Sequence, residues 1–124
     1  MSEGGLAEVV ETLDTLAKYG LLFGGTRLRR RMIVHVRLSP SYIVIKYDDG
    51  GTQYIDRRRR LAVHLPRHVP KEVAEALDVL AKRGLLHIDD RRVVAVQRVG
   101  RRVEAVTEDG KRSRVKWLTV QLSP

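Results

Sequence analysis

The chain contains no cysteine, which removes disulfides, thiolate nucleophiles and cysteine-ligated zinc together. Asparagine is also absent and glutamine occurs three times. No apolar run approaches the roughly eighteen residues that a membrane-spanning helix requires, so no membrane partner is expected. Aromatic residues are scarce, with one Trp, one Phe and four Tyr, and sequence-tolerant stacking on single strands relies on several exposed rings. Catalytic signatures are missing too. "GGTR" at 24–27 lacks the length of a phosphate loop and its following Lys-Ser/Thr, and neither an H-E-x-x-H helix nor a G-x-S-x-G elbow occurs. The start, "MSEGGLAEVVE", is acidic where a secretory leader would be basic and then apolar, so the expectation is a cytoplasmic protein.

What is present is charge. Lys and Arg number 24 against 15 Asp and Glu, a net +9, with arginine outnumbering lysine eighteen to six. Loss of thermolabile amides and cysteine beside many charges is a hot-environment composition, and it supplies a second explanation for part of the arginine. Both signs are interspersed, and 43% hydrophobic residues suffice for a real interior, so disorder is not the reading.

The other prominent feature is a repeat. Residues 8–22 and 72–86 share eleven of fifteen identities. In each copy apolar residues recur at helical spacing, as Leu6, Val9, Val10, Leu13, Leu16 and Ala17 and then as Val73, Ala74, Leu77, Leu80 and Ala81. Pro70 suits a first turn, and Gly20 and Gly84 stand where a helix stop wants a left-handed residue. Helices are expected over roughly 5–19 and 70–83. They carry −2 and zero, which leaves about +11 for everything else.

After each helix the period changes to two. "RMIVHVRL", "YIVIKYDD" and "TQYIDRRRRLAVHL" read as three strands, with hairpin-turn chemistry at "DDGG". "RVVAVQRV", "RVEAVTE" and "RSRVKWLTVQL" repeat the plan. The predicted fold is therefore α+β, a tandem duplication of an α-β-β-β unit with antiparallel sheet and two helices. The units span 1–66 and 67–124 and form one pseudo-twofold internal dimer, because a unit of about sixty residues is marginal alone.

His35, His64, His68 and His87 are dispersed without metal-ligand spacing, and the acidic pairs Asp48-Asp49, Asp89-Asp90 and Glu108-Asp109 sit at turns. No metal, no cofactor and no catalysis are expected. That leaves arginine, which offers bidentate contact to phosphate. The candidate contacts are Arg29, Arg30, Arg31, Arg57, Arg58, Arg59 and Arg60 in the first unit. In the second they are Arg91, Arg92, Arg98, Arg101, Arg102, Arg112, Arg114 and Lys116, with Trp117 as a candidate base contact. Arg112, Arg114 and Lys116 alternate along one strand and fall on one side, and a bulge is expected near Trp117 where the apolar phase begins.

The run "YIVIKYDDGG…LPRHVPKEVAEALDVLAK" loosely resembles the small SH3-like chromatin proteins of hyperthermophilic archaea, over about a third of the chain, which implies a basic body that binds DNA. The order α-β-β-β-α in 5–83 looks like that of double-stranded-RNA-binding domains, without their lysine-rich second helix start. "VAEALDVLAKRGLL" before a hairpin is similar to the last helix and wing of winged-helix regulators, without the two preceding helices. The reading is a nucleic-acid-binding protein making mainly backbone contacts to DNA or RNA. An assembly subunit of a larger ribosomal, replication or transcription complex is the first alternative, and a small metal-dependent nuclease the second.

Overall fold

The structure, a computed structural model, describes residues 3–26, 28–55 and 59–122. Helix α1 (Glu3–Lys18) is followed by β1 (Leu22–Thr26), β2 (Arg29–Leu38), β3 (Ile43–Tyr47), β4 (Thr52–Ile55) and β5 (Arg60–His64). Helix α2 (Lys71–Lys82) is followed by β6 (Leu86–Ile88), β7 (Arg91–Val99), β8 (Arg102–Thr107), β9 (Arg112–Arg114) and β10 (Trp117–Gln121). The architecture is α+β. Ten antiparallel strands run in the order β4-β3-β2-β1-β5-β10-β6-β7-β8-β9. The helices pack on one another and onto β1–β2 and β6–β7.

The predicted apolar stripes form the core. Val9, Val10, Leu13, Leu16 and Ala17 are buried, as are Val73, Ala74, Ala76, Leu77, Leu80 and Ala81. They meet Leu61, Val63, Leu118 and Val120 in one continuous cluster. Both helices stop alike. Gly20 and Gly84 sit at φ +74, and their amides donate to the carbonyls of Ala17 and Ala81. The amides of Leu21 and Leu85 then reach back to Leu16 and Leu80. This 6→1, 5→2 pattern needs the left-handed residue that glycine adopts without penalty. Across 8–22 and 72–86 the secondary structure agrees residue for residue.

The strand number corrects the sequence reading: each helix is followed by five strands, not three. "LFGGT" and "LHI" form β1 and β6, too short or too glycine-rich to show an alternation. The expected third strand of each unit is two strands. β4 lies at one edge beside β3, whereas β5 lies in the centre between β1 and β10, so the chain crosses back between them. Correspondingly β9 pairs with β8 and β10 with β5 and β6. The feature near Trp117 is thus a break at residues 115–116, not a bulge. Five strands also stand between the helices, so the α-β-β-β-α order of double-stranded-RNA-binding domains does not hold.

The true bulges are elsewhere. β2 pairs with β1 through Arg29–Met32 and with β3 from Ile33 onward, with a register shift between Ile33 and His35. β7 does the same between Val93 and Ala95. Each shift lets one strand bend and serve two ladders. A helix carboxylate braces each bend, since Asp14 Oδ1 accepts the Val36 amide at 3.0 Å and Asp78 Oδ1 the Val96 amide at 2.9 Å. At the centre, β5 and β10 share five rungs, from Trp117–His64 through Thr119–Ala62 to Gln121–Arg60. Beside this ladder β1 attaches by Phe23–Ala62 and β6 by His87–Thr119.

Candidate nucleic-acid interface

The folded chain is electrically two-sided. Four acids against Lys18 in α1 and three against two lysines in α2 leave −3 and −1, so the remainder carries +13 of the net +9. Glu8, Glu11, Glu72 and Glu75 line a groove of 280 Å³ between the helices. Arg83 meets Glu8 at 2.9 Å, and the Tyr19 hydroxyl donates to Glu72 at 2.6 Å. Apart from Lys18, Lys71 and Lys82 the basic groups belong to strands, turns and loops.

Several predicted contacts are engaged by the protein itself. Arg31 grips Asp49 with Nε and Nη2 at 2.8–3.1 Å and lies 3.8 Å over the Tyr47 ring. The Gly51 amide and Arg31 together hold the Asp49 carboxyl below the usual carboxylate range. Arg91 is 3.8 Å from Asp109, and Arg92 is 3.5 Å from Glu108. The Asp109 carboxyl is lowered by the Thr107 hydroxyl and then by the Lys111 amide. Arg98 Nε donates to the Val69 carbonyl at 3.0 Å, which ties β7 to the loop before α2. Arg60 faces Asp90 at 3.8 Å, in an exposed pair that contributes little to stability. Arg29 and Arg59 are exposed. Arg57 and Arg58 lie outside the described residues.

The acidic pairs all form turns. Asp48-Asp49 joins β3 to β4, Glu108-Asp109 joins β8 to β9, and Asp89 and Asp90 make a two-residue turn with φ of +46 and +66. Asp and Asn are the non-glycine residues that most readily accept that region.

Trp117 lies where the halves meet. His64 stacks on its ring at 4.3 Å, the Arg30 guanidinium lies 3.8 Å from its centroid, and Phe23 approaches at 6.0 Å. The indole is thereby packed against three side chains of the first half.

Four further cations converge at one place. Arg67, Arg102, Arg114 and Lys116 surround a groove of 410 Å³ whose floor is Pro66, Val69, Val103 and Val115. Among the described residues none of these four cations has a carboxylate within ion-pair distance. The expected row of Arg112, Arg114 and Lys116 is not a row. Arg112 and Arg114 are on β9, while Lys116 lies in the break, where its carbonyl accepts the Leu65 amide at 2.8 Å. The break turns Lys116 toward the groove that Arg114 also lines. Arg101 adjoins it, with its carbonyl accepting the Val69 amide.

Arg67 is the contact the sequence reading missed. It stands between Pro66 and the Val69-Pro70 pair, in a loop with no periodicity to place it. The matched place in the first half carries no such charge. Val44 pairs with Tyr54 as Glu104 pairs with Arg114, and the exposed rings of Tyr42 and Tyr54 meet edge-on at 6.1 Å.

Among the described residues no helix is long and apolar enough to cross a membrane, and no three His, Asp or Glu side chains are grouped to hold a metal ion. No protein-family model matches the chain, and no curated protein matches it.

Proposed function

We propose that the protein binds nucleic acid without catalysis, gripping the phosphate backbone with guanidinium groups on its strands and turns. The observation that carries this is the groove edged by Arg67, Arg102, Arg114 and Lys116, four cations without carboxylate partners among the described residues over an apolar floor. Several other arginines face the protein's own carboxylates, as at Arg31 and Arg92. Unneutralised charge held on a strand and two loops is suited to displacing counterions from a polyanion. The carboxylate-lined groove between the helices favours one orientation of approach, with strands toward the nucleic acid.

We also infer that the chain is a duplicated unit, 1–66 and 67–124, about a pseudo-twofold axis at the Ala62–Thr119 rung. Support comes from the matched glycine stops, the matched Asp14 and Asp78 braces, and a central ladder whose register is unchanged when β5 and β10 are exchanged.

The test is binding of labelled duplex DNA, duplex RNA and single strands across a salt series. Four neutralised phosphates give a log–log slope near −3.6 on duplex DNA, from roughly −0.9 per phosphate. Replacing Arg102, Arg114 and Lys116 by Ser should flatten the slope by about two to three units for all sequences alike. An affinity indifferent to salt, or a slope unmoved by these replacements, would falsify the proposal and favour the assembly-subunit reading. Consumption of the labelled strand with Mg²⁺ would favour the nuclease.

A further inference from the structure

On the sheet face turned away from the core, two places are matched by register and filled differently. The central ladder is symmetric about Thr119–Ala62, so Trp117–His64 at one end answers Arg60–Gln121 at the other. The attached strands match as well, because Phe23 lies beside Ala62 as His87 lies beside Thr119. At the first place a half-exposed ring is packed by its neighbours: the Trp117 indole stacks on His64, with Arg30 on its ring and Phe23 close by. At the second, Arg60 stands where Trp117 does, Gln121 where His64 does, and His87 where Phe23 does. There the space is open. It is a cavity of 580 Å³ lined by Arg60, His87, Asp89, Asp90, Thr119 and Gln121.

Its lining is rich in hydrogen-bonding groups. All six lining residues are polar, and Thr119, Gln121 and an imidazole in its neutral form can each donate and accept. His87 Nδ1 is shielded from solvent and has no hydrogen-bond partner among the described residues, and a turn of the ring about χ2 would present it to the cavity. A ring nitrogen left so costs stability unless something completes it. Around the opening stand one guanidinium, able to lie on a ring face as Arg30 does on Trp117, and two carboxylates, able to accept from ring N–H or exocyclic amino groups. The volume is in the range of small-molecule sites.

We propose that this cavity binds a purine ring, which replaces in the second half the planar bicyclic indole that packs the first. Arg60 covers a face of the ring, His87, Thr119 and Gln121 meet its edge, and Asp89 and Asp90 accept from its donors. The ring belongs either to a free purine nucleotide or to a base of a bound strand. The site stands apart from the backbone groove and does not depend on it.

The test is a titration of the full chain with GMP and AMP, followed by the imidazole proton resonances of His87 and by calorimetry. Companion titrations use CMP, ribose 5-phosphate and a single-stranded oligopurine. Purine nucleotides should shift His87, and CMP and ribose 5-phosphate should not. Response to mononucleotides marks free nucleotide as the source, and response to the oligopurine alone marks a base in a strand. His87→Phe installs the residue that β1 already carries at the matched position, so it should melt like the parent while weakening purine binding about tenfold or more. The Arg102→Ser/Arg114→Ser variant should bind purine as the parent does, which separates this site from the groove. Three results would overturn the proposal: a silent His87 with both mononucleotide and oligopurine, ribose 5-phosphate or CMP binding as well as GMP, or His87→Phe binding unchanged.

Discussion

Asp14 shows how much one side chain can carry. Its carboxylate meets Lys18 at 2.7 Å, His35 Nδ1 at 2.8 Å and the Val36 amide at 3.0 Å, joining helix, bend and strand. Burial pushes this carboxyl up, but the Lys18 and Val36 hydrogen bonds and the His35 charge outweigh it, and the pKa lies below the usual 3.8. A carboxyl lowered on folding stabilises the protein above its unfolded pKa and loses that contribution as pH falls through the folded value. Asp14→Ala, which also strands the Val36 amide, should cost about 1–3 kcal/mol at pH 7. In urea unfolding the gap to the parent should narrow once pH drops below about 4; a gap of constant size would show that the charge contributes nothing. In the sequence Asp14 is one more acid on a charged helix. Its recurrence as Asp78 inside the repeat was visible, but the strand bend it braces was not, because that contact spans more than twenty positions.

At the level of elements, the helices were legible and the strands half so. Six apolar residues at 3.6 spacing and a glycine stop leave little choice, and the core agrees. Leu77, fully buried, should cost roughly 2–5 kcal/mol as Leu77→Ala, and Leu13→Ala about as much. A much smaller loss in thermal or denaturant unfolding would place either leucine outside the core. The strands β1 and β6 escaped notice because a stretch of three to five residues barely samples a period of two. The broken third strands misled for a different reason. Arg112, Arg114, Lys116, Leu118, Val120 and Leu122 share one phase, cations first and aliphatics afterwards. That change marks a chain leaving an exposed edge for a buried centre, and alternation alone does not distinguish it from a bulge. The candidate site suffered accordingly: Arg102, Arg114 and Lys116 were in view, while Arg67, brought to them by that crossing, was not. The β1–β2 hairpin has one point with no slack. At Gly25, φ is +85 and a Cβ would stand 2.2 Å from the Arg29 carbonyl oxygen. Gly25→Ala should destabilise by more than the roughly 1 kcal/mol of an ordinary glycine replacement, read as a lower melting temperature. An unchanged melt would mean that the hairpin re-forms around the methyl group.

Across the whole molecule, the pairing of β5 with β10 was the least legible feature, since no local pattern tells a strand that its neighbour lies fifty-seven residues away. It also fixes how the sheet would come apart. Five rungs join β5 to β10, but only two join β5 to β1, two join β10 to β6 and two join β6 to β7. Among these central ladders the longest therefore lies between the halves and the two-rung ones within them; farther out β7 and β8 share six rungs and β2 and β3 five. In native-state hydrogen exchange the amides of Leu61–Val63 and Leu118–Val120 should be among the slowest, and those of the edge strands β4 and β9 among the fastest. Under tension across the sheet the molecule would not part between its two halves. It would tear at the two-rung ladders beside the middle, shedding an outer flap from either side and leaving a two-stranded ribbon, one strand from each half of the chain.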